Sequence, residues 1–279
     1  MLWQELEQRD AMVNGVRIRY RIGGEGYPLV LLHGSPQTSL SWRKLIPLLP
    51  ADRMVVAPDL RGYGDSDRPE SGYELQTMVE DVRQLLQELG IRSVDMVGHD
   101  LGGIVAYVFA TKHREIVRRL GIMEAPILGT PSPTLAPVLA SYWHIGLYAH
   151  PHLPELLIAG RERAYLKEFF RTYAYLDAIE DSALADYARH LASPGGIRGM
   201  VGVYRAIPGE LAALALLTQT KLTIPVWAVG GDRSMGLGPL EQFRQLADDV
   251  QGGVIKDCGH WVPEEQPVRI AEQLVRFLG

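Results

Sequence analysis

The chain has 279 residues, of which 47% are hydrophobic and 22% are charged, and its formal net charge is -5. This composition is typical of a folded globular protein and excludes a disordered chain, and the charge gives no reason to expect a nucleic-acid partner. No basic segment followed by an apolar run stands near residue 1, and the longest apolar stretch, residues 211–217, is too short to span a bilayer. The single cysteine, Cys258, excludes an intramolecular disulfide. We therefore predict a cytoplasmic protein that has no membrane partner.

Short aliphatic runs alternate with helical patterns, which is the rhythm of a mostly parallel sheet covered by helices. The predicted strands are residues 17–22, 29–33, 54–58, 94–98, 120–123, 225–230 and 253–255. The predicted core helices are residues 74–89, 104–113 and 268–278. The first of these helices stops before Gly90, a residue type that suits the left-handed conformation at a helix end.

The alternation of strands and helices stops after Glu124. Residues 130–218 contain no convincing strand, and they show helical patterns at 139–148, 162–175 and 182–191. We predict that residues 130–218 form a helical cap, inserted into a core made of residues 1–129 and 219–279. Because ligands of open α/β sheets bind beyond the carboxyl ends of the strands, we expect a pocket between the core and the cap.

The segment GHDLGG, residues 98–103, joins an apolar strand to an apolar helix. A sharp turn from strand to helix needs small neighbours, which its glycines supply, and it projects the central side chain, Asp100, over the sheet. The alternative interpretation is an aspartate at an ordinary helix N-cap. The segment HGSP at 33–36 and His260, after the last strand, have the chain order of an oxyanion-hole loop and a general base. Together these features predict an α/β-hydrolase fold with a mostly parallel central sheet.

An aspartate at this turn predicts chemistry at a saturated carbon. A carboxylate that attacked a carbonyl would form a high-energy anhydride, whereas at an sp3 carbon it displaces a leaving group and forms an ester. Strained rings with a carbon–oxygen bond and carbon–halogen bonds fit that step. His260 would then activate the water that hydrolyses the Asp100 ester, and the backbone amides of Ser35 and Leu101 would stabilise the oxyanion.

Three carboxylates are candidates for the acid that orients His260. Asp232 follows a strand in a glycine-rich loop, Asp257 is close to His260 in the chain, and Glu124 ends the preceding strand. We favour Glu124, because a side chain at a strand end is better fixed than one in a glycine-rich loop. Asp232 remains the alternative.

The sequence resembles the epoxide hydrolase and haloalkane dehalogenase branch of the α/β-hydrolase superfamily. Within that branch it is similar to the Cif-type epoxide hydrolases, in MEAPI at 123–127, in the segment 142–170, and in GGDRSMG and CGHWVPEE between 230 and 265. The resemblance implies that the substrates are a small epoxide and water and that the product is a vicinal diol. It also implies that the chain forms a homodimer. It also implies a triad of Asp100, Glu124 and His260.

The resemblance further implies a pair of cap residues that donate hydrogen bonds to the epoxide oxygen during ring opening. The matching positions are His144 in YWHIG and Tyr204 in VYRA. An alkoxide forms as Asp100 attacks, so a donor must meet it from the opposite side. Tyr142 and Tyr148 are reserve donors.

A dehalogenase is the first alternative, because it would share the nucleophile and the base. Haloalkane dehalogenases usually carry a tryptophan where this chain has Leu101, and fluoroacetate dehalogenases carry arginines at the positions of Leu101 and Ile104. Leu101 and Ile104, with His33 and Trp261, are expected to line a pocket for an uncharged, mostly apolar substrate.

A non-catalytic ligand-binding protein on the same fold is the second alternative. No histidines and acids stand at metal-ligand spacing, so we expect neither a metal nor a cofactor.

Overall fold

A computed structural model describes all 279 residues. It contains eight strands: β1 (Glu7–Val13), β2 (Val16–Gly23), β3 (Tyr27–Leu32), β4 (Arg53–Pro58), β5 (Val94–His99), β6 (Val117–Met123), β7 (Val226–Gly231) and β8 (Val250–Ile255). They form one sheet in the order β1-β2-β4-β3-β5-β6-β7-β8. β1 and β2 are an antiparallel hairpin, β2 is antiparallel to β4, and the other neighbouring strands are parallel.

The helices are α1 (Leu75–Glu88), α2 (Leu101–Lys112), α3 (Leu135–Ala140), α4 (Trp143–Ala149), α5 (Leu153–Ile158), α6 (Glu162–Tyr173), α7 (Asp181–Ala192), α8 (Gly196–Leu217), α9 (Gly238–Leu246), α10 (Val262–Glu265) and α11 (Pro267–Leu278). Successive strand residues enter two separate apolar clusters, as expected for a sheet that is covered on both faces. In β3, for example, Leu29 and Leu31 pack with α11, whereas Val30 and Leu32 pack with α1 and α2. The predicted α/β-hydrolase fold is confirmed.

The predicted strands are all present, and the differences have local causes. The missed strand, β1, lies at the sheet edge and exposes most of its side chains, so it lacks a buried apolar pattern. Four helices, α5, α8, α9 and α10, have no counterpart among the predicted helices. The longest of them, α8, contains four glycines and Pro208, residues that ordinarily interrupt a helix. The helix predicted at 139–148 is broken into α3 and α4 at Ser141 and Tyr142.

By length and composition alone, α8 is apolar enough to cross a membrane. The continuous apolar run at 211–217, which is too short to do so, forms only the end of this helix. In this fold it packs against α1, α2, α4, α5 and α7. Glu210 of α8 accepts hydrogen bonds from the backbone N–H groups of Leu75 and Gln76 at the start of α1. These contacts bury much of the first half of α8, whereas Leu211 and Leu216 near its end stay exposed.

The six helices α3–α8, called the cap helices below, lie between β6 and β7 in the chain. Side chains from α4 and α8 line a cavity together with side chains from the start of α2. The cavity thus lies at the carboxyl end of β5, where the sequence analysis expects a pocket. The division into domains at residues 130 and 218 stays a prediction.

Candidate active site

The turn at residues 98–103 is the sharp strand-to-helix elbow that the sequence predicts. Asp100 sits between β5 and α2 with φ 50° and ψ −122°, a strained conformation for a residue with a side chain. A Cβ atom on Gly102 would lie 2.1 Å from the carbonyl oxygen of Leu32, and one on Gly34 would lie 2.5 Å from the Cβ atom of Asp100. Glycine is therefore required at both positions for the backbone to approach this closely.

The carboxylate of Asp100 is held by groups on two sides. Its Oδ1 accepts a hydrogen bond from the backbone N–H of Ser35 at 2.9 Å, and its Oδ2 lies 3.5 Å from Nε2 of His260. Burial acts to raise the pKa of Asp100, but the hydrogen bond and charge of His260, with the amide of Leu101, lower it below its usual value. Asp100 is therefore an ionised carboxylate in spite of its burial.

Glu124, at the end of β6, is fully buried and has φ 49°. Its Oε2 accepts a hydrogen bond from Nδ1–H of His260 at 2.8 Å and one from the hydroxyl of Ser234 at 2.6 Å. Its Oε1 accepts hydrogen bonds from the backbone N–H groups of Gly231 at 2.7 Å and Met235 at 3.2 Å. These four bonds fix one orientation of the carboxylate, and through it the ring of His260.

The other two candidates for the acid have different partners. Oδ1 of Asp232 accepts a hydrogen bond from the backbone N–H of Cys258 at 3.1 Å. The carboxylate of Asp257 lies 3.4 Å from the guanidinium of Arg269. Neither carboxylate hydrogen-bonds to His260. The structure thus brings the strand-end carboxylate, and not the loop carboxylates, to the predicted base.

His260 is a cation between two anions in this resting arrangement. Burial acts to lower its pKa, but the hydrogen bonds and charges of Asp100 and Glu124 raise it to about 10. Below it, His99 donates a hydrogen bond from Nε2 to the carbonyl oxygen of His260 at 2.8 Å. Burial lowers the pKa of His99 to about 3, so His99 adds no positive charge beside the base.

The cavity over Asp100 has a volume of about 130 Å³, and ten of its 13 lining residues are hydrophobic. The predicted pocket residues Leu101 and Ile104 line it, and Trp261 lines a narrow extension that leads to His260. A larger groove of about 390 Å³ lies between α6 and α7, but none of the predicted site residues line it. The smaller cavity is therefore the candidate substrate site. Its remaining lining residues are Pro126, Leu128, Leu139, Tyr142, His144, Ile145, Val203, Tyr204, Ile207 and Met235.

His144 and Tyr204, the predicted ring-opening pair, both line the cavity with Asp100, and their ring centroids are 5.8 Å apart. Burial lowers the pKa of His144 to about 4, so its ring is neutral at pH 7. Burial, followed by the charge of Asp100, raises the pKa of Tyr204 well above its usual value. The Tyr204 hydroxyl therefore retains its proton, and both residues are neutral groups that face the carboxylate across the cavity.

Two predicted residues lie away from the cavity. His33 donates from Nδ1 to the carbonyl oxygen of Gly34 at 3.0 Å and accepts at Nε2 from the backbone N–H of Leu60 at 3.0 Å. Because both ring nitrogens bind backbone groups, His33 braces the oxyanion-hole loop and does not line the cavity. The reserve donor Tyr148 is fully buried and hydrogen-bonds through its hydroxyl to the hydroxyl of Tyr165. It is therefore not available to a substrate.

Three further residues near the candidate site are not among the residues predicted from the sequence. Tyr173 hydrogen-bonds to Nδ1 of His144 at 2.8 Å. Ser234 donates to the carboxylate of Glu124, and His99 donates to the carbonyl oxygen of His260. Ser234 stands in the GGDRSMG segment, so the resemblance there was a signal. Nothing local in the sequence marks Tyr173, which is one of twelve tyrosines.

Glu265, in α10, holds the loop that carries the base. Its carboxylate accepts hydrogen bonds from the backbone N–H groups of Gly259 and Trp261, on either side of His260. It also accepts bonds from the backbone N–H groups of Tyr175 and Leu176, which follow α6. One buried carboxylate therefore ties the base loop to the loop after α6.

Replacement of Glu265 by glutamine should lower the free energy of unfolding by about 1–3 kcal/mol, because the amide NH2 group must then face at least one buried backbone N–H group. Urea unfolding of the purified variant measures the change. The matched control is Glu272→Gln, an exposed glutamate on α11, which should change stability by less than about 0.5 kcal/mol. Equal stability of the wild type and the Glu265 variant would contradict a stabilising role for the carboxylate.

Comparisons with known proteins identify the family to which this fold belongs. A sequence profile of the family described as alpha/beta hydrolase fold matches residues 27–267. The soluble epoxide hydrolase of Corynebacterium sp. is 38% identical, over 98% of this chain and 97% of that protein. A solved structure of epoxide hydrolase CorEH without ligand has a TM-score of 0.91 at 38% identity, covering 98% of this chain and 99% of that one. A fluoroacetate dehalogenase of Burkholderia sp. is 30% identical, over 74% of this chain and 70% of that protein.

Proposed function

Because this chain belongs to the epoxide hydrolases of the α/β-hydrolase fold family, we propose that it converts an uncharged, mostly apolar epoxide to a vicinal diol through an ester on Asp100. One observation carries the proposal. An ionised carboxylate on a strained elbow lies between the amide of Ser35 and the ring of His260, at the floor of a mostly apolar cavity. This is the arrangement that displacement at a saturated carbon, followed by ester hydrolysis, requires.

In the first step, Oδ2 of Asp100 attacks a ring carbon and the carbon–oxygen bond of the epoxide breaks. Oδ1 is already engaged by the amide of Ser35, so Oδ2 is the freer oxygen. The alkoxide that forms receives a proton from the side of the cavity where His144 and Tyr204 lie. Both side chains are neutral donors, so they stabilise the developing charge without attracting an anionic substrate.

In the second step, His260 acts as the base. Formation of the ester removes the negative charge of Asp100, one of the two charges that raise the pKa of His260. The pKa of His260 therefore falls, and His260 releases its proton, which restores the proton that the His144 and Tyr204 pair gave to the alkoxide. Neutral His260 then activates a water molecule for attack on the ester carbonyl, and Glu124 stabilises the imidazolium that forms.

The oxyanion of this second step is Oδ1 of Asp100. The amide of Ser35 donates to it in the resting structure, and the amide of Leu101 lowers the pKa of the same carboxylate. Each such donor contributes about 3 kcal/mol to the stabilisation of an oxyanion. Collapse of the intermediate releases the diol, returns the carboxylate and leaves His260 protonated, as it began.

The dehalogenase alternative is weaker for this cavity. The similarity to a fluoroacetate dehalogenase, a protein whose named substrate carries a carboxylate, suggests it. Leu101 and Ile104 are hydrophobic, and the 13 lining residues of the cavity include no lysine or arginine that could bind a carboxylate. We therefore propose epoxide in preference to halide.

We also propose that residues 130–218 act as a cap domain and that the protein forms a homodimer in the cytoplasm, as the resemblance and the composition imply. Light scattering on the purified protein tests the dimer. A mass of 31.0 kDa, that of one chain, would contradict it.

A single turnover in water labelled with oxygen-18 tests the covalent route. Water attacks the carbonyl carbon of the ester, so the label should first enter the carboxylate of Asp100, and the first diol should carry an unlabelled oxygen taken from the enzyme. Mass spectrometry of the peptide that contains residue 100 and of the diol measures both. Label that passed directly into the diol would contradict the ester on Asp100.

The matched control is Asp100→Ala, assayed beside the wild type on small epoxides, halides and esters. We expect the wild type to hydrolyse epoxides and the variant to lose this activity by a factor on the order of 10⁴ or more, because the nucleophile is gone. Hydrolysis of halides alone by the wild type would favour the dehalogenase. Binding of epoxides without turnover would favour the ligand-binding protein.

A further inference from the structure

We propose that Tyr173 is a positioning residue that fixes the proton of His144 on Nε2, so that His144 can donate a hydrogen bond to the epoxide oxygen. The inference rests on the proposed function and deepens it. Tyr173 ends α6, and its hydroxyl lies 2.8 Å from Nδ1 of His144. Both residues line the narrow extension of the cavity together with Asp100 and His260.

His144 has one ring proton and two nitrogens that could carry it. Since burial lowers the pKa of His144 to about 4, the ring is neutral at pH 7, and one nitrogen is a donor while the other is an acceptor. Which tautomer forms is set by the hydrogen bond at the nitrogen that faces away from the reaction. For His144 that bond is the one between Nδ1 and the hydroxyl of Tyr173.

A neutral tyrosine hydroxyl can donate to Nδ1 or accept from it, and the proposed tautomer is the one in which Tyr173 donates. Burial raises the pKa of Tyr173 to about 12, so the phenol keeps its proton at neutral pH and can donate it. When Tyr173 donates to Nδ1, the ring proton of His144 is on Nε2. The opposite tautomer would leave a lone pair on Nε2, which would repel the lone pairs of the epoxide oxygen.

Nε2 of His144 is free for this role. It has no hydrogen-bond partner within the protein, whereas Nδ1 has Tyr173. Like Asp100, His144 lines both the cavity and its narrow extension. The nitrogen without a partner is therefore the one left for a substrate that Asp100 attacks.

Tyr173 touches the base as well, but through its main chain. Its carbonyl oxygen accepts a hydrogen bond from the backbone N–H of His260 at 2.8 Å. A change of Tyr173 to phenylalanine removes the hydroxyl and leaves this backbone bond in place. The variant therefore separates the effect on His144 from any effect on the base.

Tyr173→Phe should slow formation of the Asp100 ester by about 10-fold to 100-fold, while hydrolysis of the ester keeps its wild-type rate. Rapid-quench mass spectrometry measures the two steps separately. The matched control is Tyr165→Phe, which removes a hydroxyl from the same helix. That hydroxyl bonds to the hydroxyl of Tyr148, and Tyr165 does not line the cavity or its extension. We expect it to leave ester formation unchanged. An unchanged rate in Tyr173→Phe, or an equal loss in both steps, would overturn the proposal.

Nitrogen-15 NMR of histidine-labelled resting enzyme tests the tautomer directly, with the His144 signals assigned by their loss in His144→Gln. We expect a protonated Nε2 and an unprotonated Nδ1 in the wild type, and both tautomers in Tyr173→Phe. A proton on Nδ1 in the wild type would overturn the inference but leave the ester mechanism intact. Conversely, direct labelling of the diol by oxygen-18 would overturn the proposed function without moving the His144 signals.

Discussion

Replacement of His260 by glutamine should stop the reaction after one chemical step, so that the protein accumulates as the Asp100 ester. The first step needs the carboxylate and the cap donors, whereas the second needs a base for water. Loss of a general base slows its step by about 10²-fold to 10⁴-fold. Intact-protein mass spectrometry after addition of an epoxide should therefore show the protein plus the full mass of the substrate, in nearly stoichiometric amount.

The same variant makes a prediction about pH. In the wild type, His260 lowers the pKa of Asp100 against the opposing effect of burial. Without His260, burial dominates and the pKa of Asp100 rises, so a larger fraction of the carboxylate is protonated at acidic pH. Ester formation by His260→Gln should therefore fall off at a higher pH than ester formation by the wild type.

Two controls test whether the added mass is an ester on Asp100. The double variant Asp100→Ala with His260→Gln should form none, because the nucleophile is absent. Peptide mapping of the single variant should place the added mass on residue 100. An adduct on another residue, or rapid turnover by His260→Gln, would contradict the assigned roles.

The candidate site could be predicted from the sequence because its parts have local signatures. The elbow around Asp100 combines an apolar strand, clustered glycines and an apolar helix, and each is visible within a few residues. The better fixed position of a strand end favours Glu124 over Asp232, although Glu124 lies 136 positions from the histidine that it contacts. The order of the motifs along the chain and the end of one strand were therefore enough to predict the contact between Glu124 and His260.

The parts that the sequence did not predict depend on distant packing. Tyr173 meets His144 because α6 packs beside α4, and no spacing between residues 144 and 173 encodes that contact. His33, which the sequence places among the pocket residues, does not line the cavity. It turns instead to the backbone of Leu60, on another loop. Burial of a polar ring requires partners for its nitrogens, and those partners are known only once the loops are in place.

Glu124→Gln should lose hydrolysis of the ester by a factor on the order of 10³ to 10⁴ and should accumulate the Asp100 ester. The neutral amide removes one of the two charges that raise the pKa of His260, and it removes the charge that stabilises the imidazolium in the second step. It can also present an NH2 group to Nδ1 of His260, which favours the wrong tautomer. Steady-state turnover and the mass of the quenched protein measure both effects.

Asp232→Asn is the matched control, since it makes the same chemical change at the other candidate acid. The asparagine oxygen can still accept the hydrogen bond from the backbone N–H of Cys258, and Asp232 makes no contact with His260. We therefore expect turnover within about twofold of the wild type and no accumulated ester, because the substitution can keep the bond to Cys258 and touches neither His260 nor the cavity. The reverse result, full activity in Glu124→Gln and loss of activity in Asp232→Asn, would mean that the base takes its acid from the loop after β7. The resting arrangement around Glu124 would then have to rearrange before catalysis, and the four hydrogen bonds that hold that carboxylate argue against it.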